Sequence, residues 1–321
     1  MNPDRRRALQ HTVRLGTAAA FPLAAQANPT GAPATPSRLL RVGPAFDLKT
    51  PSQASRIAQD GDTIEIEPGV YRGDVAVWLQ SRLSLRARIP GTVRLLAEGA
   101  AAEDKAIWVL RQGSFEISGI AFEGARVVHA NGAGIRFERG ALQLSGCRFA
   151  DNEMGVLTGN DPASRLTVTD CEFAGRRQGP RFGHNLYVGR IGHFSVTDSW
   201  FHTAFQGHLL KTRARVSEVI GNRLIDGPDG QASYELEFPD GGDVLAQSNR
   251  IVQGAGTRNS VMVSYGVEGY PHPVNRLRLL GNTLQNLAPQ GVFVRVSPGA
   301  VQVTLQDNRF EGPGGFEGVS P

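Results

Sequence analysis

Lysine is scarce in this chain: three lysines stand against 31 arginines. Lys211 draws attention for that reason, because an amine can give up its proton when it is partly desolvated or set beside another cation, and a guanidinium rarely can. Arg213, two residues on, supplies the neighbouring cation. Removing a proton beside a sugar carboxylate needs a base, a cation that neutralises the carboxylate and an acid for the leaving oxygen. In such a β-elimination from a uronic-acid polymer, Lys211 is the expected base and Arg213 or Arg295 the neutralising cation. Tyr187 or His208 is the expected proton donor. Asn185, His208, Ser264 and Arg295 are expected to bind substrate. Glu235 and Glu237 offer an alternative, an inverting glycoside hydrolase. Two residues apart on a strand, they would share a face at about 6.5–7 Å, near the lower limit for such a carboxylate pair. Asp240 and Asp243 follow in a Gly-rich turn and could replace either. The plainer reading is that Glu237 pairs with Lys211 across neighbouring strands, worth about 0.2–1 kcal/mol.

The elements that must position these residues follow from a repeat. One pattern recurs eight times: SGIAF ending at Phe122, SGCRF at Phe149, TDCEF at Phe173, TDSWF at Phe201, IGNRL at Leu224, QSNRI at Ile251, LGNTL at Leu284 and QDNRF at Phe310. Intervals of 27, 24, 28, 23, 27, 33 and 26 residues suit one coil of a β-solenoid, three short strands joined by turns. The pieces are short, Gly-flanked and alternate with period 2, which excludes helical repeats. The third position reads Ile120, Cys147, Cys171, Ser199, Asn222, Asn249, Asn282 and Asn308. Stacked about 4.8 Å apart, the four asparagines can bond one another and the turn backbone, which removes the cost of burying them. Aligning one strand per coil puts Leu186, Leu210, Leu236, Val263 and Val294 inward. Tyr187, Lys211, Glu237, Ser264 and Arg295 then form an outward column, and Asn185, Leu209, Glu235, Met262 and Phe293 a second one. His184 and His208 share inward parity and are expected to cap the inner wall.

The asparagine column, the irregular coil length and the passage Ala58–Tyr71 (AQDGDTIEIEPGVY) resemble the pectate-lyase-like superfamily of right-handed parallel β-helices. The likeness covers residues 46–311. It implies an all-β, single-domain solenoid whose first rung is capped by a short amphipathic helix, with 52–59 as its counterpart. It also implies a polysaccharide lyase that uses a basic residue, sometimes with calcium. The chain lacks a Trp-x-Asp-His segment and the paired-aspartate and Asp-Pro-His-Asp segments of other enzymes on this fold. No aspartate cluster suited to calcium and no His-x₃-His spacing is present, so no cofactor or metal is expected. A non-catalytic polysaccharide-binding β-helix of the cell envelope is the reading from a different class.

Residues 1–27 read as an export signal of twin-arginine type. Arg5–Arg7 precede an Ala- and Gly-bearing run, and Ala25-Gln26-Ala27 suits a signal peptidase. Residues 28–45 read as a linker and 312–321 as a flexible tail. Without the first 27 residues, four arginines and one aspartate are lost, and the net charge falls from +4 to +1. No basic block then remains for nucleic acid. The expected setting is a monomer, periplasmic or secreted, with a polysaccharide partner and no transmembrane segment. Cys147 and Cys171 fall in adjacent rungs of one column, where in-register stacking seldom permits a disulfide, and they read as buried thiols.

Overall fold

The computed structural model describes residues 37–175, 183–227, 230–257 and 259–321. The expected signal, residues 1–27, lies outside them. Three parallel sheets of 11, 10 and 10 strands run the length of the molecule. Successive strands of one sheet come from successive coils, so the chain is an all-β parallel solenoid of about ten turns, as its repeat predicted. Its helix among the described residues, Pro51–Ile57, turns Pro51 and Ala54 inward and covers the first coil. No helix among them is long and apolar enough to cross a membrane.

The recurring pattern marks the corner between the first and second sheets. Its second residue has a left-handed backbone in all eight copies: Gly119, Gly146, Asp170, Asp198, Gly221, Ser248, Gly281 and Asp307, with φ between 52° and 70°. That conformation is open to glycine and, with a short polar side chain, to aspartate, which explains the composition of the position. The corner turns the third residue inward. There Asn222, Asn249 and Asn282 each receive the backbone N–H of the previous ladder residue on Oδ1, at 2.9 Å, and Asn308 does so at 3.0 Å. Each Nδ2 donates to a carbonyl of the preceding coil: Val196, Val219, Ala246 and Leu279. Ser199 and Cys171 continue the column toward Cys147. Both cysteines are buried free thiols. The fifth residue fills the core, where Phe122, Phe149, Phe173 and Phe201 stack with centroids 5.2, 4.9 and 4.7 Å apart.

The ends of the solenoid depart from expectation. Leu39–Val42, inside the supposed linker, pairs in parallel with Thr63–Ile66. Gly315–Glu317, inside the supposed tail, pairs with Val292–Val296. Each adds a strand to a sheet end and satisfies a row of backbone groups that would otherwise be bare, so the solenoid runs past both limits.

Candidate active site

The third sheet carries the site. Tyr187 pairs with Lys211, Lys211 with Glu237, Glu237 with Ser264 and Ser264 with Arg295, in the register read from the sequence. Their strand neighbours Leu186, Leu210, Leu236, Val263 and Val294 are fully buried, so the five polar residues project from the outer wall. The same column begins with Val77, Val109, Arg136 and Leu157, so it is mostly apolar toward the N-terminus, with Arg136 as the exception, and polar toward the C-terminus.

The second expected outward column does not exist as such. Leu209, Met262 and Phe293 belong to the main core, and Asn185 and Glu235 are buried with them. The cause is a break in alternation where the chain turns out of the second sheet: Leu209 and Leu210 both point inward. Asn185 is held in this turn by donating to the carbonyls of Phe173 and His202, at 3.1 and 2.9 Å. Its role as a substrate contact is therefore not supported by its position.

The same break turns the residues one step earlier outward. His184 and His208, expected on the inner wall, stand on the outer face beside the main column. The rings of His184 and Tyr187 are 5.5 Å apart, those of His184 and His208 4.5 Å, and those of His208 and Tyr234 5.0 Å. Tyr234 was missed from sequence. The signal that could have found it is spacing: His184/Tyr187, His208/Lys211 and Tyr234/Glu237 are each three residues apart in consecutive coils.

Glu237 is the centre of the cluster. Its side chain is 4% exposed, and one oxygen, Oε2, lies 2.9 Å from Lys211 Nζ and 3.1 Å from His208 Nε2. Burial alone would raise its pKa, but His208 and Lys211 outweigh that and hold the carboxyl below its ordinary value. Burial pushes His208 down, against the pull of Glu237. Burial, with His208 and Lys211 nearby, pushes His184 further down. The two Nδ1 atoms are 2.8 Å apart, and His184 Nδ1 also accepts the backbone N–H of His208 at 2.9 Å. An imidazole nitrogen that accepts carries no proton, so the proton between the rings belongs to His208. In neutral His208 that assignment leaves Nε2 as a bare acceptor facing the carboxylate.

Arg213 is not a free cation awaiting a substrate carboxylate. Its Nε donates to Tyr187 Oη at 3.0 Å, one terminal nitrogen to Asp240 at 2.6 Å and the other to Glu268 at 2.7 Å. Burial works against its charge, yet Glu268, Tyr187 and Asp240 raise its pKa above the ordinary value. Asp240 is fully buried and also binds Arg190 at 2.6 Å. Glu268, whose carboxyl Arg213 holds below its usual range, is 3.7 Å from Lys211. Lys211 thus faces two carboxylates, Glu237 and Glu268. Arg295 is likewise engaged, with Glu317 and Tyr234. Ser264, between Glu237 and Arg295 in the column, is wholly buried.

The hydrolase pair is separated. Glu235 precedes the strand Leu236–Phe238, is fully buried and meets Gln253 Nε2 at 3.3 Å. Burial, with Asp226 nearby, pushes its carboxyl well above the usual range. Glu237 faces the other way, toward His208 and Lys211, so the two carboxylates do not flank one outer site. Asp243 is tied to Arg276 and Arg278. Among the described residues no group of three or more metal-ligating side chains gathers.

Three parallel sheets, wound coil by coil and joined at a laddered corner, define a parallel β-helix with a polar cluster on one outer wall. No protein-family model and no curated protein matches the chain. Among solved structures it is similar to the pectin methylesterase from Aspergillus niger. The deglycosylated form matches at 12% identity and a TM-score of 0.43, the penultimately deglycosylated form at 11% and 0.42. Each match covers 86% of this chain and 86% of the other. ORF18 of Geobacillus virus E2 matches at 11% identity and a TM-score of 0.38, over 78% of this chain and 53% of that one.

Proposed function

We propose that the chain is an exported enzyme, periplasmic or secreted, that cleaves a uronate-bearing polysaccharide by β-elimination. The observation that carries the reading is the single oxygen of Glu237 that touches both Lys211 and His208. Lys211 in its amine form is the base that removes the proton next to the sugar carboxylate. Glu237 joins it to His208, so that the proton taken from the sugar has a path away from the substrate. Tyr187 is suited to protonate the leaving oxygen. Arginine offers only donors, so Arg213 fixes Tyr187 Oη without using its proton. Lys211 Nζ and Arg213 Cζ, 5.5 and 5.9 Å from the tyrosine ring centroid, offset the charge left when that proton departs.

The test is turnover on a panel of acidic and neutral polysaccharides, following ultraviolet absorbance of an unsaturated uronate together with reducing ends. Absorbance and reducing ends rising together on a polyuronate are expected. Tyr187→Phe should lower kcat by about 10²-fold or more, the usual scale for a lost proton-transfer group, with little change in unfolding midpoint. Reducing ends without absorbance would replace elimination by hydrolysis. Neither signal, with binding retained, would make the protein a non-catalytic polysaccharide binder.

A further inference from the structure

The residue after the ladder position opens the outer face of the second sheet. In register from coil to coil this column reads Ala121, Arg148, Glu172, Trp200, Arg223, Arg250, Thr283 and Arg309. Arginine takes four of the eight places, after Cys147, Asn222, Asn249 and Asn308. Two of the four are neutralised on the protein, Arg148 by Glu123 and Glu172 and Arg309 by Glu311. Arg223 and Arg250 are exposed and, among the described residues, have no carboxylate within ion-pair distance. They sit on adjacent strands, about 4.8 Å apart along the axis, where like charges directly opposite destabilise a sheet.

Arg223 is also held in place. Its guanidinium carbon lies 4.9 Å from the Trp200 ring centroid, and the His202 ring stacks on the same indole at 4.1 Å. A stacked guanidinium keeps its donors pointed outward at less entropic cost than a free one. Arg250 reaches Gln285, an uncharged neighbour that leaves its charge uncompensated. Beside the column a cleft of about 370 Å³ opens between Arg148, Asp151, His202 and Thr203.

We infer that this face is a second binding surface, a docking strip for an anionic polysaccharide chain whose carboxylates pair with Arg223 and Arg250. The rung spacing is close to the length of one pyranose unit, so consecutive acidic sugars along the solenoid axis meet consecutive arginines. The ligand class rests on the function proposed above, but the strip lies on a different sheet from Lys211 and Tyr187 and works by binding alone. It would hold the polymer against the enzyme while the other wall acts on it.

The test is affinity electrophoresis of the full chain in gels containing a polyuronate, a neutral glucan or DNA. Retardation by the polyuronate, lost on raising salt, and none by the glucan is expected. The Arg223→Gln/Arg250→Gln variant should bind the polyuronate about tenfold more weakly, while Arg223→Lys/Arg250→Lys keeps part of the effect because the charge remains. Neither variant should fall below the wild-type unfolding midpoint, since neither side chain is buried and the Gln pair removes a like-charge contact. Equal retardation of the Gln variant, no retardation of the wild type, or equal retardation by DNA would overturn the strip. Tyr187→Phe is run alongside: retardation without turnover in the wild type would refute the reaction and leave the strip standing.

Discussion

Removing the Lys211 ammonium should cost stability as well as turnover, because the group it neutralises is buried. Glu237 is 4% exposed and meets two partners through one oxygen, Lys211 at 2.9 Å and His208 at 3.1 Å. Breaking a buried pair from one side typically costs about 3–5 kcal/mol. Lys211 is 11% exposed and His208 remains in place, so Lys211→Ala is expected to lose roughly 2–4 kcal/mol at neutral pH. The pH dependence has a definite sign. In the wild type the folded-state pKa of Glu237 is depressed, so its contribution is present above the unfolded-state value and lost as pH falls through the folded one. Without Lys211 the desolvation of Glu237 is less well opposed, its folded-state pKa rises, and the deficit shrinks as the carboxyl takes a proton. Urea unfolding of the wild type, Lys211→Ala, Glu237→Gln and the double variant at about pH 8 and about pH 5 checks this. The deficit of Lys211→Ala should be larger at the higher pH, and the double variant should recover most of it, giving a coupling energy well above zero. A wild-type midpoint for Lys211→Ala at the higher pH, or a loss of equal size at both, would refute the reasoning. Activity of these variants has to be read where the protein is folded.

The ladder predicts a graded series. Asn249→Ala removes bonds to Asn222, Val219 and Asn282 and strands buried groups on both sides, a loss of about 3–5 kcal/mol, whereas Asn308→Ala at the half-buried end should cost less than half as much. Equal midpoints in urea for the two would count against a continuous column. Glu235 and Asp226 predict an opposite pH effect: burial pushes Asp226 up to about 6 and Glu235 well above its ordinary range. Such groups stabilise the fold below their unfolded-state pKa and lose that contribution as pH rises through the folded one, so stability should fall from about pH 5 to pH 8. Glu235→Gln should flatten this decline, and an unchanged slope would show that Glu235 does not carry it.

Much of the architecture was legible because each coil repeats one local solution. The left-handed corner accepts only a few residue types, so glycine, aspartate and serine recur at its second position. The inward third position must pair with itself, so asparagine follows asparagine. From that register the main column, Tyr187 to Arg295, followed by counting. The second column failed because counting assumes strict alternation, and alternation breaks where the chain leaves the second sheet. One inward step at Leu209–Leu210 buried Asn185 and Glu235 and turned His184, His208 and Tyr234 outward.

The sequence by itself determined the coil, its register and the main outward column from Tyr187 to Arg295, because these depend on contacts between equivalent positions of neighbouring repeats. Register alone predicts the Lys211–Glu237 pair, but the rest of the charge pairing was decided only by the tertiary structure. Arg213 reaches Asp240 and Glu268, 27 and 55 residues away in sequence, and one oxygen of Glu237 takes His208 as well as Lys211, both from the preceding coil. Side-chain reach and loop return set those contacts, and no periodicity records them.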